Sequence, residues 1–155
     1  MKQTSKFLAT FFYLGFFPRF HASITSIAGF VIYEALVRSA PGNYVALLAY
    51  LIPFIFGIIA VYYYLKHVSA SSDPREVVLD EFFAAGLIPF VLHAHLILAF
   101  FALLLFRMID LLKPGFIKKI DEWNYWPAIF LDDFAAVFIA LIVVKPIEMI
   151  IYGIA

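Results

Sequence analysis

The sequence predicts an all-α fold: a compact integral membrane helical bundle, one domain over residues 1–155, with a helical hairpin around residues 82–106. Three observations lead there. The chain is 65% hydrophobic, 19% aromatic and 14% charged, with a mean hydropathy of +0.99. Soluble domains run near ~45–50% apolar and ~25% charged. The apolar residues gather in runs separated by polar stretches, and nine of the eleven acids lie between Asp73 and Asp133, beside those runs. Eleven Lys/Arg balance eleven Asp/Glu, so no net field steers a polyanion. The composition excludes a disordered chain, a nucleic-acid binder and an ordinary cytosolic enzyme. The absence of cysteine excludes a disulfide scaffold, a thiolate zinc site and a cysteine nucleophile.

Taken in order, Lys2 and Lys6 precede an apolar stretch, but Pro18, Arg19 and His21 follow it where a signal cleavage site would show small residues. Residues 7–17 are too short to span a bilayer, which takes roughly 20 apolar residues. Residues 24–37 are also short and carry Glu34, which can pair with Arg38 one turn on. These two pieces read as interfacial, re-entrant or jointly spanning. Ala40-Pro41-Gly42-Asn43 is a turn signal, and residues 43–65 form the cleanest span, with Pro53 and Gly57 as internal kinks. Asp73, Pro74 and Glu76 read as the N-cap, N1 and N3 of a new helix. Residues 82–106 are apolar again and contain Gly86, Pro89, His93 and His95. Arg107, Asp110 and Lys113 are spaced one helical turn apart, and Pro114-Gly115 ends that helix. Lys118 and Lys119 suit headgroup anchors, and Tyr62, Tyr63, Tyr64, Trp123 and Trp126 suit an aromatic belt. Residues 127–144 are apolar but carry Asp132 and Asp133, and residues 147–155 form a short hydrophobic tail.

A straight helix over residues 82–106 would be roughly 37 Å long and would put Asp80 and Glu81 across the membrane from Arg107 and Asp110. The basic residues argue against it. With both polar stretches inside, Lys2, Lys6, Lys66, Arg75, Arg107, Lys113, Lys118 and Lys119 share one side, leaving Arg38 and Lys145 opposite. A hairpin satisfies this, turning within residues 89–95 with Pro89 as breaker and His93 and His95 at the tip. It gathers Asp80, Glu81, Arg107, Asp110 and Lys113 at one face, where Asp132 and Asp133 can join them.

Carboxylates next to apolar runs are costly, about 2.5–3.5 kcal/mol for an Asp at mid-membrane, so they mark a site. Oxygen-only donors suit Mg²⁺. Arginine offers a planar fork to phosphate and lysine a point charge. This combination suggests metal-assisted hydrolysis of a phosphate ester on a lipid headgroup. Asp80, Glu81, Asp132 and Asp133 are the expected metal ligands and water activators. Arg107 and Lys113 would hold phosphate, and Asp110 would orient them or share the metal. Which acid is the general base is left open. A non-catalytic helix-bundle subunit is the alternative; an ion carrier is disfavoured because the acids cluster at one face instead of forming a path.

Four strings also resemble the phosphatidylglycerophosphatase A family of membrane lipid phosphatases. They are Asp73-Pro-Arg-Glu-Val-Val-Leu-Asp80-Glu81-Phe82, Phe106-Arg107-Met-Ile-Asp110-Leu-Leu-Lys113-Pro114, Asp121, and Leu131-Asp132-Asp133. The resemblance implies Mg²⁺-dependent removal of the phosphate monoester from phosphatidylglycerophosphate, giving phosphatidylglycerol. It implies an integral protein of the bacterial inner membrane with the site facing the cytoplasm and a phospholipid as partner. Near the N-terminus the family has Pro-Gly-Thr-x-Gly-Ser where this chain has His21-Ala22-Ser23-Ile24-Thr25-Ser26. Ser23 and Ser26 keep the hydroxyls, which the resemblance assigns to phosphate binding, while Thr25 replaces a glycine. A glycine-rich turn before the Asp pair is replaced by Trp123-Asn124-Tyr125-Trp126-Pro127. A degenerate relative would show such losses.

Overall fold

A computed structural model describes residues 2–17, 20–69, 74–92, 95–123 and 125–152. These residues form helices and turns, with no strand among them. The order is α1 (Lys2–Ala9), a 3-10 turn (Leu14–Phe16), α2 (His21–Ser39), α3 (Asn43–His67), α4 (Leu79–Gly86), α5 (Ile88–Val91), α6 (Leu96–Leu112), α7 (Phe116–Asp121) and α8 (Ala128–Tyr152). The all-α expectation holds. Helices α3 and α8 have 25 residues each and are apolar enough to cross a membrane, since ~1.5 Å per residue carries either past a ~30 Å hydrocarbon core. This is a membrane protein.

The hairpin is present, built from α4 and α5 descending and α6 returning. Helix α5 ends at Val91 and His95 stands immediately before α6; His93 is outside the described residues. Pro89 acts earlier than expected. It has no N–H and crowds the carbonyl four residues back, so the helix breaks at Leu87, between α4 and α5. There the Leu87 N–H bonds Ala84 O at 3.2 Å instead of Phe83 O. The Phe83 carbonyl is taken by the Tyr50 hydroxyl of α3 at 2.9 Å. Pro53, by contrast, stays inside an uninterrupted α3.

Three other expectations are corrected. The helix start foreseen at residues 73–76 is not there. Residues 74–78 form a turn and α4 begins at Leu79; Asp73 lies outside the described residues. The Glu76 carboxylate accepts a hydrogen bond from the Tyr64 hydroxyl at 2.9 Å, and the Val78 N–H donates to Ala9 O at 3.3 Å. Tyr64 is therefore a buried strut and not a belt residue. Finally, the separate C-terminal tail is the end of α8, which runs unbroken through Pro146. Lys145 can stay helical there because its ammonium donates to Glu148 Oε2 at 2.6 Å and to Val91 O at 3.2 Å. Helix α2 is one element of 19 residues carrying the expected Glu34–Arg38 pair.

Two stripes position the site. On α6 the buried residues are Ala99, Ala102, Leu103, Phe106 and Asp110. On α8 they include Ile129, Asp132, Asp133, Ala136, Val137, Ala140, Leu141, Val144 and Glu148. Both follow the three-and-four spacing of one helix face. The alanines at their centres let α6 and α8 pack closely, as membrane helices do where small residues meet. The acids continue these faces upward, so the packing that buries the alanines also buries Asp110, Asp132 and Asp133. Helix α2 presses on α4 at Gly29, where a Cβ would stand 2.1 Å from Phe82 O. Ahead of α2, Phe11, Phe12 and Tyr13 all have positive φ, at 43°, 58° and 67°. That left-handed turn lays Gly15 against Glu76, a carbonyl approach that a Cβ would block at 1.9 Å.

Candidate metal centre

The site is a cavity of about 210 Å³ at one end of the bundle. Asp80 and Glu81 enter it from the first turn of α4, Asp110 and Lys113 from the end of α6, Asp121 from α7, and Asp132 and Asp133 from α8. His21, the turn at Pro74 and Arg75, Val77, Trp123, Tyr125, Ala128 and Ile129 complete its walls.

The carboxylates form two groups sharing one member. Asp80, Glu81 and Asp133 offer oxygens within 4.8 Å of one another, as do Asp110, Asp132 and Asp133. Asp133 is 3% exposed, Asp132 6%, and Asp80 and Asp110 9% each. Such burial of like charges is unfavourable unless something cationic compensates.

Two cations of the chain do part of this. Arg107 donates through Nη1 to Asp110 Oδ2 at 2.6 Å, both side chains being nearly buried. Lys113 bridges Asp121 and Asp132, the latter at 2.7 Å. Burial alone would lower the Lys113 pKa, but the hydrogen bonds it donates to Asp121 and Asp132 overcome this and hold the ammonium well above the usual lysine range. Lys113 also caps α6 with φ 41°, the left-handed position that Gly or Asn ordinarily takes. A side chain there costs on the order of 1–2 kcal/mol, and the double ion pair holds it in place.

Asp80 Oδ1, Glu81 Oε2, Asp132 Oδ1 and Asp133 Oδ2 are buried without a hydrogen bond. Burial pushes the Glu81 carboxyl up to about 7, and burial followed by the neighbouring Glu81 charge pushes Asp80 well above the usual carboxylate range. Three carboxylates offering hard oxygens within 4.8 Å of one another, among side chains that carry unpaired buried oxygens, fit a divalent cation such as Mg²⁺.

Of the residues singled out in the sequence, Asp80, Glu81, Asp110, Lys113, Asp132 and Asp133 come together in the cavity. Arg107 does not line it; one position beyond Phe106 on the α6 stripe, it stands behind Asp110. Ser23 and Ser26 do not line it either. Ser26 is fully buried and its hydroxyl donates to Ala22 O at 2.8 Å. Asp121 was quoted within the resemblance without a role, and it is a partner of Lys113. Arg75, His21, Trp123 and Tyr125 reach the cavity across elements far apart in sequence, so no local spacing signals them.

Neither curated proteins nor solved structures give a match. The family model described as phosphatidylglycerophosphatase A matches residues 7–148, nearly the whole chain. With an acid cluster where that family's strings fall, the chain belongs to the phosphatidylglycerophosphatase A family of phosphatases.

Proposed function

We propose that this protein is a Mg²⁺-dependent lipid phosphatase that hydrolyses the phosphate monoester of phosphatidylglycerophosphate, at the cytoplasmic face of a bacterial inner membrane. One observation carries the reading: two groups of three carboxylates share Asp133 beside a lysine, in a cavity large enough for a phosphate, and four of these side chains carry a buried oxygen with no hydrogen bond.

Asp80, Glu81 and Asp133 are the residues to hold the ion, with Asp110 and Asp132 as the adjoining group. When bound, Mg²⁺ supplies positive charge that offsets the charge of the phosphoryl oxygens. Lys113 has three N–H donors, two directed at Asp121 and Asp132, which leaves the third for a phosphate oxygen. Arg107 fixes Asp110 and screens the acids from the side. A carboxylate of the adjoining group that does not hold the ion is suited to accept a proton from the attacking water and pass it to the leaving alcohol. Water adds to phosphorus, the ester P–O bond breaks, and the lipid alcohol leaves with a proton.

The test is phosphate release from phosphatidylglycerophosphate in mixed micelles by the purified protein with Mg²⁺. Asp80→Asn and Asp133→Asn should each abolish release while the helical content stays. Undiminished release from both variants rejects the site.

A further inference from the structure

The cavity holds little more than a phosphate and its ion. At about 210 Å³ it falls below the ~300–1,000 Å³ typical of pockets that enclose a whole small ligand. The rest of a lipid substrate must lie at the mouth. Two cationic or protonatable side chains stand there, opposite in character to the acidic floor. Arg75, on the turn before α4, is exposed, and among the described residues no carboxylate pairs with it. His21, at the start of α2, donates through Nδ1 to Phe17 O at 3.0 Å, which leaves Nε2 for a ligand. Both line the cavity together with Trp123 and Tyr125. These aromatics are 55% and 64% exposed, the amphipathic pair expected at headgroup depth.

Among the described residues no carboxylate engages this guanidinium, which stands exposed beside the acids of the cavity and is open to an anion. The geometry points to Arg75 and His21 as a second anion subsite at the mouth, binding a phosphodiester while the terminal monoester enters the acid cavity. The pair is a specificity determinant: it favours lipids carrying two phosphates in series over those with a single phosphate. Arg75 supplies the planar two-point contact suited to a phosphate, and His21, whose Nδ1 already donates to Phe17 O, adds a third contact by donating from Nε2 when the ring carries its second proton. This assignment rests on the phosphatase reading above.

The first measurement is the ratio of kcat/KM on phosphatidylglycerophosphate to kcat/KM on phosphatidic acid, for the wild type, Arg75→Gln, His21→Gln and Arg75→Lys. Loss of a charge-assisted contact should lower that ratio about tenfold or more in Arg75→Gln, through KM more than kcat. Arg75→Lys should recover part of it, because charge returns without the fork. An unchanged ratio in both Gln variants overturns the subsite. The second measurement needs no turnover. In a Trp126→Phe background with EDTA, Trp123 emission is followed as phosphatidylglycerol or diacylglycerol is added to detergent micelles. Phosphatidylglycerol should shift the emission and diacylglycerol should not, with apparent affinity falling about tenfold in Arg75→Gln. Equal response to both lipids, or no change in the variant, overturns the subsite. Absent phosphate release with Arg75-dependent binding intact rejects the phosphatase reading alone.

Discussion

Asp133 belongs to both acid groups, so Asp133→Asn separates the role of the cluster in folding from its role in binding an ion. Without metal, two ionised carboxylates no more than 4.8 Å apart repel by about 3.5 kcal/mol at an effective dielectric of 20. Retained protons relieve part of this. Asparagine keeps the volume and removes one charge from both groups, so the metal-free variant should be more stable than the metal-free wild type, by about 1–3 kcal/mol. With metal that advantage shrinks by about 2.3 kcal/mol. An ion at a hundred times its Kd stabilises the wild type by about 2.7 kcal/mol. If losing the shared ligand weakens binding a hundredfold, the same ion concentration yields only about 0.4 kcal/mol. The assay is thermal unfolding in detergent with EDTA and then with saturating Mg²⁺. The expected pattern is a higher Tm for the variant in EDTA and almost no gain on adding Mg²⁺. A variant that is less stable than wild type in EDTA yet keeps the full Mg²⁺ gain would refute an ion held through Asp133.

Three further outcomes follow from the same geometry. Burial raises the Glu81 carboxyl from its ordinary 4.5 to about 7, so it holds a proton in the fold across that range. The folded metal-free protein therefore binds more protons than the unfolded chain in that window, and its stability falls as pH rises through it. Because Mg²⁺ must displace this proton, the Mg²⁺-induced rise in Tm should be small at about pH 5.5 and larger at about pH 8; a pH-independent gain would exclude Glu81 as a ligand. Tyr50→Phe strands the Phe83 carbonyl exposed by the Pro89 break and should cost about 1–3 kcal/mol, read as a Tm loss with Mg²⁺ binding retained. Lys113→Met removes the partner of Asp121 and Asp132 and should lower kcat on the lipid at least about a hundredfold, whereas Lys118→Met, at an exposed position, should leave it within about twofold.

The sequence carried the hairpin because two physical demands conflicted. A straight helix over residues 82–106 would have split the basic residues and separated Glu81 from Asp110, and only a fold-back meets both constraints. It carried the acids because a carboxylate beside an apolar run is costly wherever the run goes. Local signals failed where a distant partner decided the outcome. Asp73, Pro74 and Glu76 spell a helix start, yet Glu76 is held by Tyr64 and Val78 by Ala9. Residues 147–155 read as a separate tail, yet α8 runs unbroken through Pro146 to Tyr152, with Lys145 donating to Glu148 and to Val91 O.

From composition, spacing and charge alone came the helical membrane class and the gathering of Asp80, Glu81, Asp110, Lys113, Asp132 and Asp133. These rest on solvation costs that each residue carries with it into any fold. The tertiary structure alone decided that Arg107 backs Asp110, that Asp121 shares Lys113, that Ser26 turns to its own helix, and that His21 and Arg75 stand at the mouth. Those choices depend on which faces of α2, α4, α6 and α8 meet, and a face is assigned by packing between helices, which no single stretch of chain contains.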